Sequence, residues 1–278
     1  MPEILKWLKK SMKAMSKFSF KYFEDDELPS LFAALKQAFD AADVAFYLIG
    51  ARARDVWFLP EKSLRITKDI DWIAASDEDS VFKAIRQQLI KKEGFKETKN
   101  PYTLLSPKGM PIDLLPFIEN TGRSLEGLRE VFARGTEGVT FDDNATYQVA
   151  TLPAIVLLKF IAWDDRPEYR SKDLWDIGAI LEYYFDCFSE DIYENHNDLF
   201  SDRELEEISA YVIGRKIKYI IGESSDLHLR LINILTEKQE TIIKIIAKSG
   251  EKPEDEVTQI LKNLLDGILE KRQHSFTH

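Results

Sequence analysis

The chain has 278 residues, 44% of them hydrophobic and 12% aromatic, with a formal net charge of −10. That length suits one large or two ordinary domains with a substantial core, and the acidic balance disfavours nonspecific, whole-surface binding of nucleic acid. No apolar run approaches the ~18 residues of a membrane span, and the first residues lack the apolar region and cleavage site of a secretory signal. The single cysteine, Cys187, has no internal disulfide partner, so the expectation is a soluble cytoplasmic protein.

The first 22 residues carry six lysines and one glutamate, and 1–29 reads as a basic N-terminal segment. It either contacts RNA or an acidic partner, or packs Ile4, Leu5, Trp7 and Leu8 on the body as a solvated helix face. "LPSLFAALKQAFDAAD" (28–43) has helical periodicity, and "VAFYLIG" (44–50) reads as a buried strand ending at a glycine. "ARARDVWF" follows as a short helix, then the loop "LPEKSLRIT", then a strand through "KDIDWI". "DEDSVFKAIRQQLIKKEGF" has acids in its first turn, lysines in its last and Gly94 at its close, the charge order of a helix. "FKETK", "YTLLS" and "PIDLLPF" read as strands too close in sequence for crossover helices, so this part of the sheet is antiparallel or mixed. From about residue 150 the texture becomes helical, with long segments repeating apolar residues at i, i+3, i+4 and i+7. The fold class expected is α/β (α+β): a mixed-sheet domain over 30–150, then a helical C-terminal domain over 151–278.

Within "LRITKDIDWI" (64–73), Asp69 and Asp71 stand two apart in an otherwise apolar run. A period-2 strand sends both carboxylates to one face, where like charges repel and are costly to desolvate. Asp113 lies between Ile112 and Leu114, again a carboxylate in apolar company. Three carboxylates at one sheet edge would bind two magnesium ions, which prefer oxygen ligands and bridging phosphates. Gly50 sits between strand and helix, where backbone N–H groups can face a phosphate.

The ordered set "YLIGARARDVWF", "RITKDIDWI", "PIDLLPF" and "LPAIVLLKFIAWDDRPEYRSKDLWDI" resembles the nucleotidyltransferase superfamily related to DNA polymerase β. More narrowly, over roughly 44 to 185, it resembles the AbiEii-type toxin nucleotidyltransferases. The resemblance implies a nucleotidyltransferase fold and transfer of a nucleoside monophosphate from an NTP, with magnesium or manganese as cofactor. The acceptor hydroxyl it implies is that of tRNA or, in the manner of antibiotic nucleotidyltransferases, a small molecule such as an aminoglycoside. A partner antitoxin protein would accompany a toxin. Asp69 and Asp71 would ligate both metals, and Asp113 would ligate one and help deprotonate the acceptor. Gly50 and the amides after it, with Ala51 and Arg52, would hold the triphosphate. Arg65 and Thr67 would touch phosphate or orient the carboxylates. Lys159 would reach the triphosphate from the helical half, Asp173 would support the site, and Asp176 would hold Lys159 or Arg166. Where that family has Gly-Gly or Gly-Ser, this chain has Gly50-Ala51, followed by Arg52 and Arg54.

Plainer readings stand beside these. Asp69 and Asp71 could be a strand-end pair bridged to Arg65 and Lys68, and Asp113 a turn residue. Lys159 could be a snorkelling surface lysine, and Asp173 a helix cap. Trp163, Trp175, Tyr183 and Tyr184 stand at helical spacings expected of core. The four histidines share no metal-ligand spacing, and no phosphate-binding GxxxxGK[ST] loop, nucleophile elbow or Cys–His arrangement is present. A catalytically silent relative that binds a nucleotide, RNA or protein is the rival to an enzyme.

Overall fold

The computed structural model describes residues 18–58, 67, 69–117, 126–201 and 203–271. Short apolar runs ended by turns form strands, and longer runs with 3.6-residue periodicity form helices. Helix α1 (Leu28–Ala41) starts at a proline, which loses no hydrogen bond in the first turn, and buries Leu28, Leu31, Phe32, Leu35 and Phe39. Strand β1 (Phe46–Ile49) leads directly into α2 (Gly50–Trp57), and β2 (Ile70–Ala74) carries Asp71. Helix α3 (Asp79–Glu93) ends at Gly94, whose left-handed φ of 74° closes it at no Cβ cost. Strands β3 (Lys96–Glu97), β4 (Thr103–Leu105) and β5 (Pro111–Pro116) follow. The buried positions of β5 alternate with half-buried ones, as a period-2 strand requires.

Helix α4 (Leu128–Arg134) and the hairpin β6 (Thr136–Thr140)–β7 (Thr146–Ala150) complete the sheet. Its order is β3-β4-β5-β2-β1-β7-β6. Strand β1 pairs antiparallel with β2 and parallel with β7, and β2 pairs parallel with β5. Strands β3, β4 and β5 are antiparallel to one another, and so are β6 and β7. The sheet is mixed, as expected from the short spacings over 94–117.

The remaining helices are α5 (Leu152–Asp165), α6 (Ser171–Asn195, bent at Phe188), α7 (Leu205–Ile221), α8 (Ser225–Glu237), α9 (Gln239–Gly250) and α10 (Glu254–Leu269). The stretch read as one helix over 226–250 is two, broken at Lys238, whose ammonium is drawn to Asp164 and lies over the Trp163 ring. Helix α5 is buried on every side, the signature of a central helix, and one continuous cluster of buried side chains joins it to the sheet. Helices α7 and α10 cross where Gly214 meets Gly267, so closely that a Cβ at either would strike the other's backbone. Of the four aromatics expected in the core, Trp163 and Tyr184 are buried and Tyr183 is half-buried. Trp175 is instead 41% exposed, because it shares its helix face with exposed Lys172 while Asp173, Leu174, Asp176 and Ile177 turn inward. No helix among the described residues is long and apolar enough to cross a membrane.

Candidate active site

Strand pairing brings the three parts of the site together. Asp71 is opposite Ile49 on one side and Asp113 on the other, so the turn at Gly50 and the two aspartates share one edge of the sheet. Residues directly opposite on neighbouring strands lie on the same face. Asp113 therefore sits within a strand rather than in a turn. Asp69, exposed, immediately precedes β2. Arg65 and Lys68 lie outside the described residues.

Gly50 has φ of 72°, and a Cβ there would collide with Asp71 Oδ2 and stand 3.2 Å from Asp71 Cγ. Only glycine both adopts that left-handed backbone without strain and lets the carboxylate approach it. The carboxylate of Asp71 thus packs against the backbone that opens α2, with Ile49 extended before it. Ala51 is buried in the first turn. Arg52 is also buried; it donates to the Thr67 carbonyl at 3.1 Å, stacks over the Phe23 ring, and its Nε has no hydrogen-bond partner.

Burial, then repulsion from Asp69 and Asp113, pushes the Asp71 carboxyl up to about 7; Lys159 and Arg170 pull it back only in part. Each neighbouring aspartate is held by a hydroxyl: Thr67 donates to Asp69, and Thr103 donates to Asp113 Oδ1 at 2.5 Å. With those carboxylates turned to threonines, no group of three His, Cys, Asp or Glu side chains among the described residues is arranged to hold a metal ion. The donor set itself suits a hard divalent cation, being all oxygen and short of compensating charge. The Asp71 carboxyl, raised by its two neighbours, is the observation behind that fit.

The helical half supplies a second charged assembly. Lys159 is 8% exposed, which excludes a snorkelling surface lysine. Its ammonium donates to Asp173 Oδ1 at 2.9 Å and to Asp176 Oδ2 at 2.7 Å. Asp176 also accepts from Arg54 of α2, a side chain 1% exposed that donates to Asp55 as well. Asp173 makes no cap bond; it accepts from Arg170 Nε at 2.5 Å. A chain of alternating charges, Arg54–Asp176–Lys159–Asp173–Arg170, therefore links the helix that starts at Gly50 to α5 and α6. Arg54 and Arg170 were not singled out by sequence as site residues. The only signal was their presence in the stretches carrying Gly50 and Asp173, since an arginine in a short polar helix ordinarily reads as surface.

No family model matches the sequence, and no curated protein does. Among solved structures the chain is similar to an antigenic nucleotidyltransferase-like protein from Paracoccidioides brasiliensis, at 16% identity and a TM-score of 0.44 over 80% of this chain and 93% of that one. It is also similar to the antibiotic-resistance factor ANT(2'')-Ia, at 13% identity and a TM-score of 0.36 over 62% of this chain and 99% of that one. A third is the CCA-adding enzyme of Thermotoga maritima in complex with tRNA, at 13% identity and a TM-score of 0.31 over 98% of this chain and 66% of that one. These structures are nucleotidyltransferases or like them. The likenesses are distant, and the chemistry rests on this chain's own side chains.

Proposed function

We propose that this chain is a divalent-metal-dependent nucleotidyltransferase that moves a nucleoside monophosphate from an NTP to an acceptor hydroxyl. The observation that carries this reading is the register of Asp71 with Asp113 on adjacent parallel strands, with Gly50 packed against Asp71 at the start of α2. That edge gathers carboxylates that oppose one another's ionisation, an arrangement that costs stability and gains purpose when a cation joins it. Asp69, Asp71 and Asp113 would hold magnesium or manganese, and when bound the metal neutralises the triphosphate and favours the acceptor alkoxide. The amides after Gly50, with Ala51, Arg52 and Thr67, orient the triphosphate. The acceptor oxygen attacks the α-phosphorus, the bond to the β-phosphate breaks, and pyrophosphate leaves with its electron pair. Asp113 takes the acceptor's proton at a carboxylate oxygen. Positioning and charge neutralisation supply most of the acceleration.

The narrower reading, a toxin acting on tRNA with an antitoxin partner, is supported by the resemblance of residues 44 to 185 to the AbiEii-type toxins. The test incubates the purified chain with each labelled NTP and magnesium, together with total tRNA or an aminoglycoside panel. Label in tRNA supports the toxin reading, and label in a drug supports antibiotic modification. No transfer from any NTP, together with retained nucleotide binding, supports the silent relative. That second reading is favoured by Gly50-Ala51 and by the engagement of Lys159 with two carboxylates.

A further inference from the structure

We propose that Arg170, rather than Lys159, is the cation that the helical half presents to the triphosphate and the leaving pyrophosphate, with Asp173 and Lys159 as positioning residues behind it. The inference rests on the nucleotidyltransferase reading and names the phosphate contact of that same site. Lys159 is poorly suited to the contact. It is buried, and two carboxylates already accept from its ammonium. Moving it toward a phosphate would strip a partner from Asp173 and Asp176 inside the protein, a costly exchange for buried charges.

Arg170 has the opposite character. Its side chain is 46% exposed, it stands at the turn before α6, and Nε alone is engaged, with Asp173 Oδ2 at 2.5 Å. Its two terminal nitrogens make no hydrogen bond among the described residues. A guanidinium gripped through Nε presents both terminal NH2 groups outward as a fork, which matches two phosphate oxygens. The other Asp173 oxygen is held by Lys159, so the carboxylate that aims Arg170 is itself fixed from the interior. Arg170 also stands close enough to the carboxylate edge to oppose the charge build-up at Asp71. The same proximity puts its fork within the field of any anion bound beside Asp71. Buried Arg54, through Asp176, ties this assembly to the helix that starts at Gly50. The two phosphate-facing parts of the site are thereby held in register across the two halves.

The test measures binding of each NTP with magnesium, of inorganic pyrophosphate with magnesium, and of the matching nucleoside, to the full chain and to Arg170→Gln and Arg170→Lys. The expected result is a loss of about tenfold or more in NTP and pyrophosphate affinity in Arg170→Gln, the scale of a charge-assisted hydrogen bond. Nucleoside binding and melting temperature should stay close to those of the unsubstituted chain, and Arg170→Lys should recover part of the loss. Unchanged NTP and pyrophosphate affinity in Arg170→Gln overturns the inference while leaving the nucleotidyltransferase reading intact. So does a loss confined to the acceptor, which would place the fork on an acceptor phosphate. If the unsubstituted chain binds neither NTP nor pyrophosphate, the nucleotidyltransferase reading itself falls.

Discussion

Two charged regions face each other in this molecule, and they are built on opposite rules. At the sheet edge, Asp69, Asp71 and Asp113 crowd like charges together, and burial with repulsion lifts Asp71 to about 7. In the helical half, Arg54, Asp176, Lys159, Asp173 and Arg170 alternate in sign, each held by the next. The first arrangement is destabilising until a cation arrives. The second is self-sufficient and holds the elements around the first. A cluster whose charges are balanced explains itself as structure, whereas one left unbalanced within the fold points to a missing partner.

The comparison breaks most visibly at the unbalanced end. Asp113→Asn should lower kcat by about 10²-fold or more, since a general base alone contributes ~10²–10⁴, while the fold keeps its melting temperature. Steady-state turnover with the preferred NTP checks this, and near-normal kcat would remove Asp113 from the chemistry.

The balanced end should respond in stability instead. Lys159→Met leaves Asp173 and Asp176 buried with one cation fewer each, and should cost about 3 kcal/mol in denaturant unfolding. The loss is far larger than for Lys36→Met, which breaks only the exposed Lys36–Asp40 pair, expected to matter by at most ~0.5 kcal/mol. Equal effects in the two variants would mean that the buried chain is not a structural unit.

Where the regions meet, Gly50→Ala forces a Cβ onto the Asp71 carboxylate at a left-handed φ. The expected cost is roughly 1–3 kcal/mol, with NTP affinity lost alongside. A variant as stable as its parent would show that the turn relaxes freely and that the close approach carries no function.

The smallest effect sharpens the comparison through pH. The folded carboxyl of Asp71 lies near 7 against an ordinary value of 3.8. The unfolded chain therefore releases this proton first, and stability from this group falls as pH rises across that interval, then levels off above it. His196 acts in the reverse sense: burial lowers its imidazole to about 4, and Nδ1 accepts from Arg215 at 3.1 Å. Its contribution is lost as pH falls from 6.5 toward that value. The two slopes oppose each other, so the informative quantity is the difference in melting temperature between Asp71→Asn and its parent across pH 4 to 8. In metal-free buffer the variant's advantage should grow with pH and flatten above about 7; a flat difference would deny the raised carboxyl.

The sheet edge was legible in the sequence because its signal is local. A period-2 run puts Asp71 on a strand, a glycine between strand and helix marks the turn, and "PIDLLPF" announces its own alternation. The β6–β7 hairpin went unread, although Asp142, Asp143 and Asn144 form its turn and Asn144 takes a left-handed φ of 63° there. Its strand β7 gains its place by parallel pairing with β1, a hundred residues away in sequence, and long-range pairing leaves no local mark. The partners of Lys159 were half legible. Asp173 and Asp176 share a helix face by spacing, but Arg54 reaches Asp176 across 122 positions, and nothing in "ARARDVWF" distinguishes a buried arginine from a solvated one. Trp175 failed for a related reason: helical spacing identifies a face, and only packing decides whether that face is covered.

The most direct test of the account is the melting temperature of the full chain and of Asp71→Asn near pH 8, each measured in EDTA and again with manganese and the preferred NTP. The unbalanced edge predicts a reversal: the variant melts above its parent without metal, because repulsion is relieved, and below it with metal and nucleotide, because the stabilisation conferred by mass action is lost. A variant that melts below its parent in EDTA, yet gains as much from manganese and NTP, would contradict a metal site built on Asp71.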